Sequence, residues 1–401
     1  MFIRELLVLV LCTAFFVIYL LAERIILCRR SRVIPLRICV TGIRGKSSVT
    51  RLIAASLRES GQNVLAKTTG SKPVVIFPDG KEKEIVRRGP PSILEGKKIL
   101  KRGAELQVQA IVLELMSIHP EASFAESVQM IDPQILVITN VRPDHLAEMG
   151  SLKEEIARSL ATSIPERSTV FVPRGEFFEI FEEKAKSANS KLIQVLEDSY
   201  QEYFQLEDKF PFFELEENIR LSLAVAEFLG IEREVALQGM AKVQPDFGSL
   251  KVWSADLGSP PCRWHFVSIF AANDPESTRR VLDRLEEKMS LNKEKMIGLL
   301  NLRRDRGDRT LQWFESLKEG AFPEFQKLFL IGDHTHALRR RLSLRNDAEL
   351  FALKKQSPET VLEKISGIVR GEAVLVGMGN MGGFGKELVN YWERVGKRYD
   401  F

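Results

Sequence analysis

Between a short β-branched run, Leu36–Thr41, and a stretch of helical apolar spacing, Val49–Leu57, the chain reads Gly42-Ile43-Arg44-Gly45-Lys46-Ser47-Ser48. A buried strand, a glycine turn and a helix start in that order leave few folds open. The strand belongs inside a parallel α/β sheet, with the loop at its carboxyl edge. Glycines let backbone N–H groups close around an anion, and the helix end adds its dipole. Lys46 is placed to bridge the β and γ phosphates of a nucleotide, and the Ser47 hydroxyl to ligate Mg²⁺. Val40 stands where the full GxxxxGK[ST] pattern has its first glycine. That departure points away from ordinary GTPases and transport ATPases. Gly61 is expected to close the helix.

Two further strand ends carry matching chemistry. Val108–Glu114 is a near-continuous apolar run closed by a carboxylate, and ligands of parallel sheets collect at such ends. Glu114 is therefore a metal candidate; a solvated strand end is the plainer reading. The run Gln134–Asn140 leads into Val141-Arg142-Pro143-Asp144-His145, where Asp144 and His145 offer a carboxylate and an imidazole, or merely cap a loop. Arg303, Arg304, Arg306 and Arg309, with Asp305 and Asp308, follow another strand. They read either as a solvated loop or as forked guanidinium groups for carboxylate or phosphate. Gly377, Gly379 and Gly382 fit GxGxxG, yet only nineteen residues follow them. A dinucleotide fold needs more chain, so the motif is read as a tight strand-to-helix turn.

The amino-terminal segment Leu6–Ala22 carries no charge, and extended through Leu27 it is long enough to cross about 30 Å of hydrocarbon. No small-x-small cleavage site follows it. Arg29, Arg30 and Arg32 lie after it and only Arg4 before it, which places the rest of the chain in the cytoplasm by the positive-inside rule. Residues 1–32 are accordingly an anchor with a basic juxtamembrane segment. The length of 401 residues suits two to three domains. Pro245–Gly248 punctuates the chain, giving units 33–248 and 249–401. The expected strands are Ser168–Pro173 and Lys191–Leu196 in the first unit. In the second they are Trp264–Ala271, Lys295–Leu302, Lys327–Gly332 and Glu372–Val376, forming a second parallel α/β layer. Phe210, Phe212 and Phe213 read as a core-facing turn. A net charge of +4 with both signs interspersed gives no reason to expect a nucleic-acid partner. Four cysteines without a CxxC pair exclude a disulfide scaffold and a structural zinc site.

The order of TGIRGKSSVTR, a strand-terminal Glu114 and ITNVRPDHLAEMG resembles the Mur ligase superfamily, the ATP-dependent amide-bond formers. Within it, the chain is most similar to ligase subunits of poly-γ-glutamate synthases, the PgsB/CapB type. The similarity takes in the anchor, Lys67–Gly70, Glu217–Ile231, Phe270–Thr278, Asn301–Thr310 and Gly377–Gly383. It implies a P-loop central domain and a carboxyl-terminal Rossmann-like domain that closes over the active site, behind one transmembrane helix. It also implies ATP and Mg²⁺ (or Mn²⁺), glutamate and poly-γ-glutamate as substrates, and small integral membrane subunits as partners; a homo-oligomer is compatible with it.

Carried over residue by residue, the resemblance makes Gly42, Arg44, Gly45, Lys46, Ser47 and Ser48 the phosphate loop. Ser47, Glu114 and His145 become the metal set, with Lys46, Glu114 and His145 catalytic. Asn218 falls on an adenine-side asparagine, Lys251 where the family usually has an arginine near the phosphates, and Asp274 on a ribose contact. Arg303, Arg306 and Arg309 are left for the acceptor. Two departures stand out. Leu160 and Ala161 occupy the place of a carbamylated lysine that Mur ligases often carry, and Ala147 replaces the last carboxylate of the PDHLD pattern. Two rival readings stay open: a P-loop ATPase that powers export or assembly without ligation, and a ligase for a different amino acid.

Overall fold

The computed structural model describes residues 2–70, 72–175, 177–195, 210–257, 261–288, 295–342 and 349–399. Helix α1, Phe2–Val33, leads within three residues into β1, Leu36–Thr41. Helix α2, Lys46–Glu59, starts at the end of the glycine loop, and Gly61 follows it at φ 87°. There follow β2 (Val64–Thr68), β3 (Val74–Ile76), β4 (Glu82–Glu84), α3 (Glu95–Glu105) and β5 (Ala110–Glu114). Strands β6 (Ile135–Ile138), β7 (Thr169–Pro173) and β8 (Lys191–Val195) complete an eight-stranded sheet in the order β4-β3-β2-β5-β1-β6-β7-β8. Six of its strands run parallel, with β3 and β4 an antiparallel edge. Leu196, expected at the end of the last strand, lies outside the described residues.

Alternation along β1 decides which layer each face meets. Ile38 and Val40 pack with Val49, Leu52 and Ile53 of α2, while Cys39 points to the opposite layer with Ile99 and Leu100 of α3. Each such buried aliphatic side chain contributes roughly 1.5–3 kcal/mol, so the loop between β1 and α2 is held by both its flanks. The chain moves to β2 on one side of β1 and later returns to β6 on the other. The glycine loop therefore sits at the switch point, where such sheets bind ligands.

The second sheet comprises β9 (Lys251–Leu257), β10 (Cys262–Ser268), β11 (Met296–Leu302), β12 (Lys327–Gly332), β13 (Glu349–Leu353), β14 (Ala373–Gly379) and β15 (Lys397–Arg398). Its order is β13-β12-β11-β14-β10-β9-β15. The first five of these are parallel, four of them expected and β13 not, and β9 and β15 pair antiparallel at one edge. The alternating Lys251–Leu257 segment went unread as a strand because it begins directly after the Pro245–Gly248 break. Trp392 of the helix Phe384–Val395 stacks on Phe266 at 5.3 Å and on Phe270 at 5.9 Å, fastening that helix over β10.

Candidate active site

The loop after β1 is shaped by close approach. Gly42 and Gly45 take φ of 119° and 78°. A Cβ on Gly42 would lie 2.2 Å from Thr139 Oγ1, and one on Gly45 2.3 Å from Asn218 Oδ1, so only glycine fits either place. From the end of β6, Thr139 Oγ1 donates to the Arg44 carbonyl at 2.6 Å, and Asn140 Oδ1 accepts the Arg44 N–H at 3.0 Å. Lys46 Nζ is turned onto the loop itself, donating to the Gly42 carbonyl at 2.7 Å and the Ile43 carbonyl at 3.2 Å. Burial lowers the Lys46 ammonium, while Glu114 draws it back up.

Ser47 Oγ donates to Glu114 Oε2 at 2.7 Å, and the Thr69 N–H reaches the same oxygen at 2.6 Å. Another carboxylate faces this pair. A Cβ on Gly70 would sit 2.6 Å from Ser47 Oγ and 3.2 Å from Asp246 Oδ2. Asp246 Oδ2 accepts the Gly248 N–H at 3.1 Å; Oδ1 is buried with no hydrogen-bond partner, and Arg51 stands 3.9 Å from it. Burial pushes the Asp246 carboxyl up, opposed by Arg51. A hydroxyl and two carboxylates thus surround the space over Gly70, the donor set of a hard divalent cation. Among the described residues no group of three or more His, Cys, Asp and Glu could hold a metal by itself. The arrangement fits a cation that takes its other ligands from phosphates and water.

Arginines from the second sheet meet this edge. Arg309 is buried and closes its fork on Asp144, Nε at 3.1 Å and Nη2 at 2.9 Å, with Nη1 on Asn380 at 2.9 Å. Arg44 crosses the other way, with Nη1 3.1 Å from Asp144 and Nε 2.9 Å from Asp274. Burial alone would raise the Asp144 carboxyl, but Arg44 and Arg309 hold it far below the usual carboxylate range. His145 Nδ1 lies 3.2 Å from Arg306 Nη1. Arginine can only donate, so Nδ1 accepts, and the neutral ring carries its proton on Nε2, 3.6 Å from Asp144. Burial lowers the His145 pKa, helped by Arg306 and opposed by Asp144.

These groups line one cleft with two ends. The phosphate end is bounded by Lys46, Ser47, Glu114 and Asp246 from one side and by Arg303, Arg306 and Lys386 from the other. The second end is a more apolar slot that shares Arg44, Gly45 and Ser48 with it and adds Asn218, Phe213 and Leu250. Arg44 Nη2 and Asn218 Oδ1 are buried with no hydrogen-bond partner. Unsatisfied polar atoms of this kind are costly unless a ligand meets them; Arg44 Nη2 calls for an acceptor and Asn218 Oδ1 for a donor.

The expected site residues do not all converge. Lys46, Ser47, Ser48, Glu114, Asn218, Arg303 and Arg306 line the cleft. Lys251 does not: its ammonium lies over the Phe247 ring, 3.9 Å from Glu393, and Lys386 is the second-sheet lysine in the cleft. Asp274 is spent on Arg44 and on capping the helix Pro275–Lys288 through the Ser277 N–H at 2.8 Å. His145 faces Asp144 and Arg306. The fork of Arg309, expected to grip an acceptor, is occupied by Asp144, which the paired strand-end loops bring within reach. Phe210 and Phe212 are core, as expected, whereas Phe213 is buried and also lines the apolar slot. Asp246 and Lys386 were missed. Asp246 lay in Pro245–Gly248, read only as a boundary, and Lys386 in an ordinary amphipathic helix. Gly382 lies against the tip of Arg303.

A phosphate loop and strand-end carboxylate on one α/β sheet, facing an arginine-bearing edge of a second, define a two-body P-loop fold of the Mur ligase kind. Residues 40–244 match the Mur ligase middle domain and residues 257–395 the poly-gamma-glutamate synthase CapB C-terminal domain. The fold is shared with a bifunctional folylpolyglutamate synthase/dihydrofolate synthase from Yersinia pestis complexed with AMPPNP and Mn ion. Its TM-score is 0.65 at 14% identity, over 93% of this chain and 91% of that one. MurF from Acinetobacter baumannii gives 0.62 at 18% identity, over 90% and 78%. The chain is 33% identical to the PGA synthase CapB of Bacillus subtilis (strain 168), over 89% of this chain and 90% of that one. It is 30% identical to the capsule biosynthesis protein CapB of Bacillus anthracis, over 97% and 83%. The chain belongs to the poly-γ-glutamate synthase CapB family.

Proposed function

We propose that this chain is an ATP-dependent amide ligase that elongates poly-γ-glutamate, and that residues 33–248 and 249–401 are its two working units behind the anchor. The carrying observation is that the Ser47–Glu114 pair and Arg306, contributed by different sheets, line one cleft. ATP binds with its base in the apolar slot beside Asn218 and its phosphates along Gly42–Ser48. A carboxylate oxygen of the growing chain attacks the γ-phosphorus, the bond to ADP breaks, and an acyl phosphate results. A glutamate amine, its ammonium proton given up to solvent, then attacks the acyl carbon; phosphate leaves, the second proton passes to solvent, and the amide remains. Lys46 and Arg44 neutralise and orient the phosphates. Ser47, Glu114 and Asp246 would hold a Mg²⁺ or Mn²⁺ ion, which would supply further charge neutralisation when bound. Arg306 presents donors to the acceptor's planar carboxylate, while Arg303, whose Nε and Nη2 close on Asp305 at 2.9 and 2.6 Å, adds positive charge beside it. Asp144, pinned between two arginines, stays ionised and is too weak a base for an ammonium group, and the His145 lone pair is engaged by Arg306. We assign the body to the cytoplasmic face of the cell membrane, with small integral membrane subunits as its partners.

The test is substrate dependence in the full-length protein. ADP release should require glutamate, and hydroxylamine should trap the activated carboxyl as a hydroxamate. ATP turnover indifferent to every amino acid, with no hydroxamate, would overturn ligation in favour of a simple ATPase.

A further inference from the structure

Helix α1 does not hang from the body on a loose tether. Its 30-residue stretch Arg4–Val33 has mean hydropathy 2.6 at its richest and is unburied there, yet its last turns are built into the first layer. Ser31 Oγ donates to the Ile131 carbonyl at 3.1 Å, and Leu27 packs on the core beneath α3. Helix α3 runs alongside these turns. Near its start Lys97 Nζ meets Glu23 Oε1 at 2.7 Å, and near its end a Cβ on Gly103 would lie 3.0 Å from Ile34. From Ile34 back to Glu23, α1 rises about 16 Å, and β1 covers about the same distance from Leu36 to Thr41. The uncharged run ending at Ala22 therefore begins level with the carboxyl edge of the sheet, where the phosphate loop lies.

The loop 85–94 sits at that level. Arg87 binds Glu95 in the first turn of α3 at 2.7 Å, and Arg87 Nη2 lies 3.8 Å from Met116 Sδ, two residues past Glu114. On this lip Val86 is 85% exposed and Leu94 51%, beside exposed Arg88, Lys98 and Arg24. Apolar side chains set among cations, next to the exit of an apolar helix, match the chemistry of an anionic bilayer surface.

We infer that the loop 85–94 and the first turn of α3 form a second membrane contact, a lip beside the anchor that meets anionic lipid headgroups. The inference rests on α1 spanning the membrane and goes beyond ligation itself: it adds a second point at which the body meets the bilayer.

The experiment uses the full-length chain in vesicles of phosphatidylcholine and phosphatidylglycerol with brominated acyl chains, which quench nearby indoles. The native Trp253, Trp264, Trp313 and Trp392 are buried and set the background. Added emission from Val86→Trp and Leu94→Trp should be lost to the brominated lipid. That from Leu106→Trp, just past the opposite end of α3, should persist. The loss should shrink in pure phosphatidylcholine and in the Arg88→Glu/Lys98→Glu variant, while Phe16→Trp stays quenched throughout. Equal quenching at Leu94→Trp and Leu106→Trp, with Phe16→Trp quenched, overturns the lip and leaves the anchor standing. An unquenched Phe16→Trp overturns the anchor and the lip together, and neither result touches the ligase assignment.

Discussion

At the scale of single residues, the phosphate end shows how sequence position and chemical role come apart. Lys46 and Ser47 are fixed by adjacency to the loop, but Asp246 arrives from nearly two hundred positions away and offers an oxygen that nothing in the protein satisfies. Asp246→Asn keeps the shape and the acceptor for the Gly248 N–H while removing the charge. Mn²⁺ affinity in the presence of a non-hydrolysable ATP analogue should fall about 10-fold or more, read by electron paramagnetic resonance without any turnover. Unchanged Mn²⁺ binding would make Asp246 only a buried partner of Arg51. Lys46→Ala should keep the fold and reduce acyl-phosphate formation by ~10²–10³-fold, as removal of one preorganised charge typically does. Wild-type hydroxamate formation in that variant would remove the lysine from the chemistry.

At the scale of elements, α1 sets where a soluble body can begin. Cutting after residue 32 deletes Leu27 and Ser31, whose contacts close the base of the first layer; cutting after residue 22 keeps them. The longer body, starting at Glu23, should melt higher than one starting at Val33, since it keeps the part-buried Leu27 and the Ser31 hydrogen bond to the Ile131 carbonyl. Equal melting temperatures would show the last turns of α1 to be dispensable. The same elements explain what could be read in advance. Strands β5 and β6 are buried on both faces and appear as unbroken apolar runs, β1 is interrupted only by Arg37, and the segments after these strands carried the phosphate loop, Glu114 and Asp144. The antiparallel edge strands β3, β4 and β15 have two or three residues each, too short for any period to emerge. The pairing of Arg309 with Asp144 joins positions 165 residues apart, and no local pattern records such a distance. A motif tells which side chains stand at a strand end, but only the fold tells which of them are already taken.

At the scale of the whole molecule, the two sheets are tied across the cleft by a chain of charges running Asp274–Arg44–Asp144–Arg309. Arg44 and Asp144 come from the first body, Asp274 and Arg309 from the second, so each link between them is broken when the bodies part. Removing one forked contact to a buried carboxylate costs about 1.5–3 kcal/mol, a factor of roughly 10 to 150 in the balance between closed and open forms. Arg309→Met should therefore enlarge the radius of gyration in small-angle scattering and weaken ATP-analogue binding, with Arg309→Lys in between because it keeps the charge and loses the fork. The sign of the pH dependence follows from Asp144. Its carboxyl is held far below the ordinary value in the closed form, so its contribution is present above the ordinary carboxylate range near pH 4 and fades only as pH falls below it. The wild-type radius should thus be the same at pH 8 and at pH 5 and grow only in stronger acid. A wild-type molecule that opens between pH 8 and pH 5, or an Arg309→Met variant as compact and as tight for nucleotide as wild type, would show that something other than this chain of charges holds the bodies together.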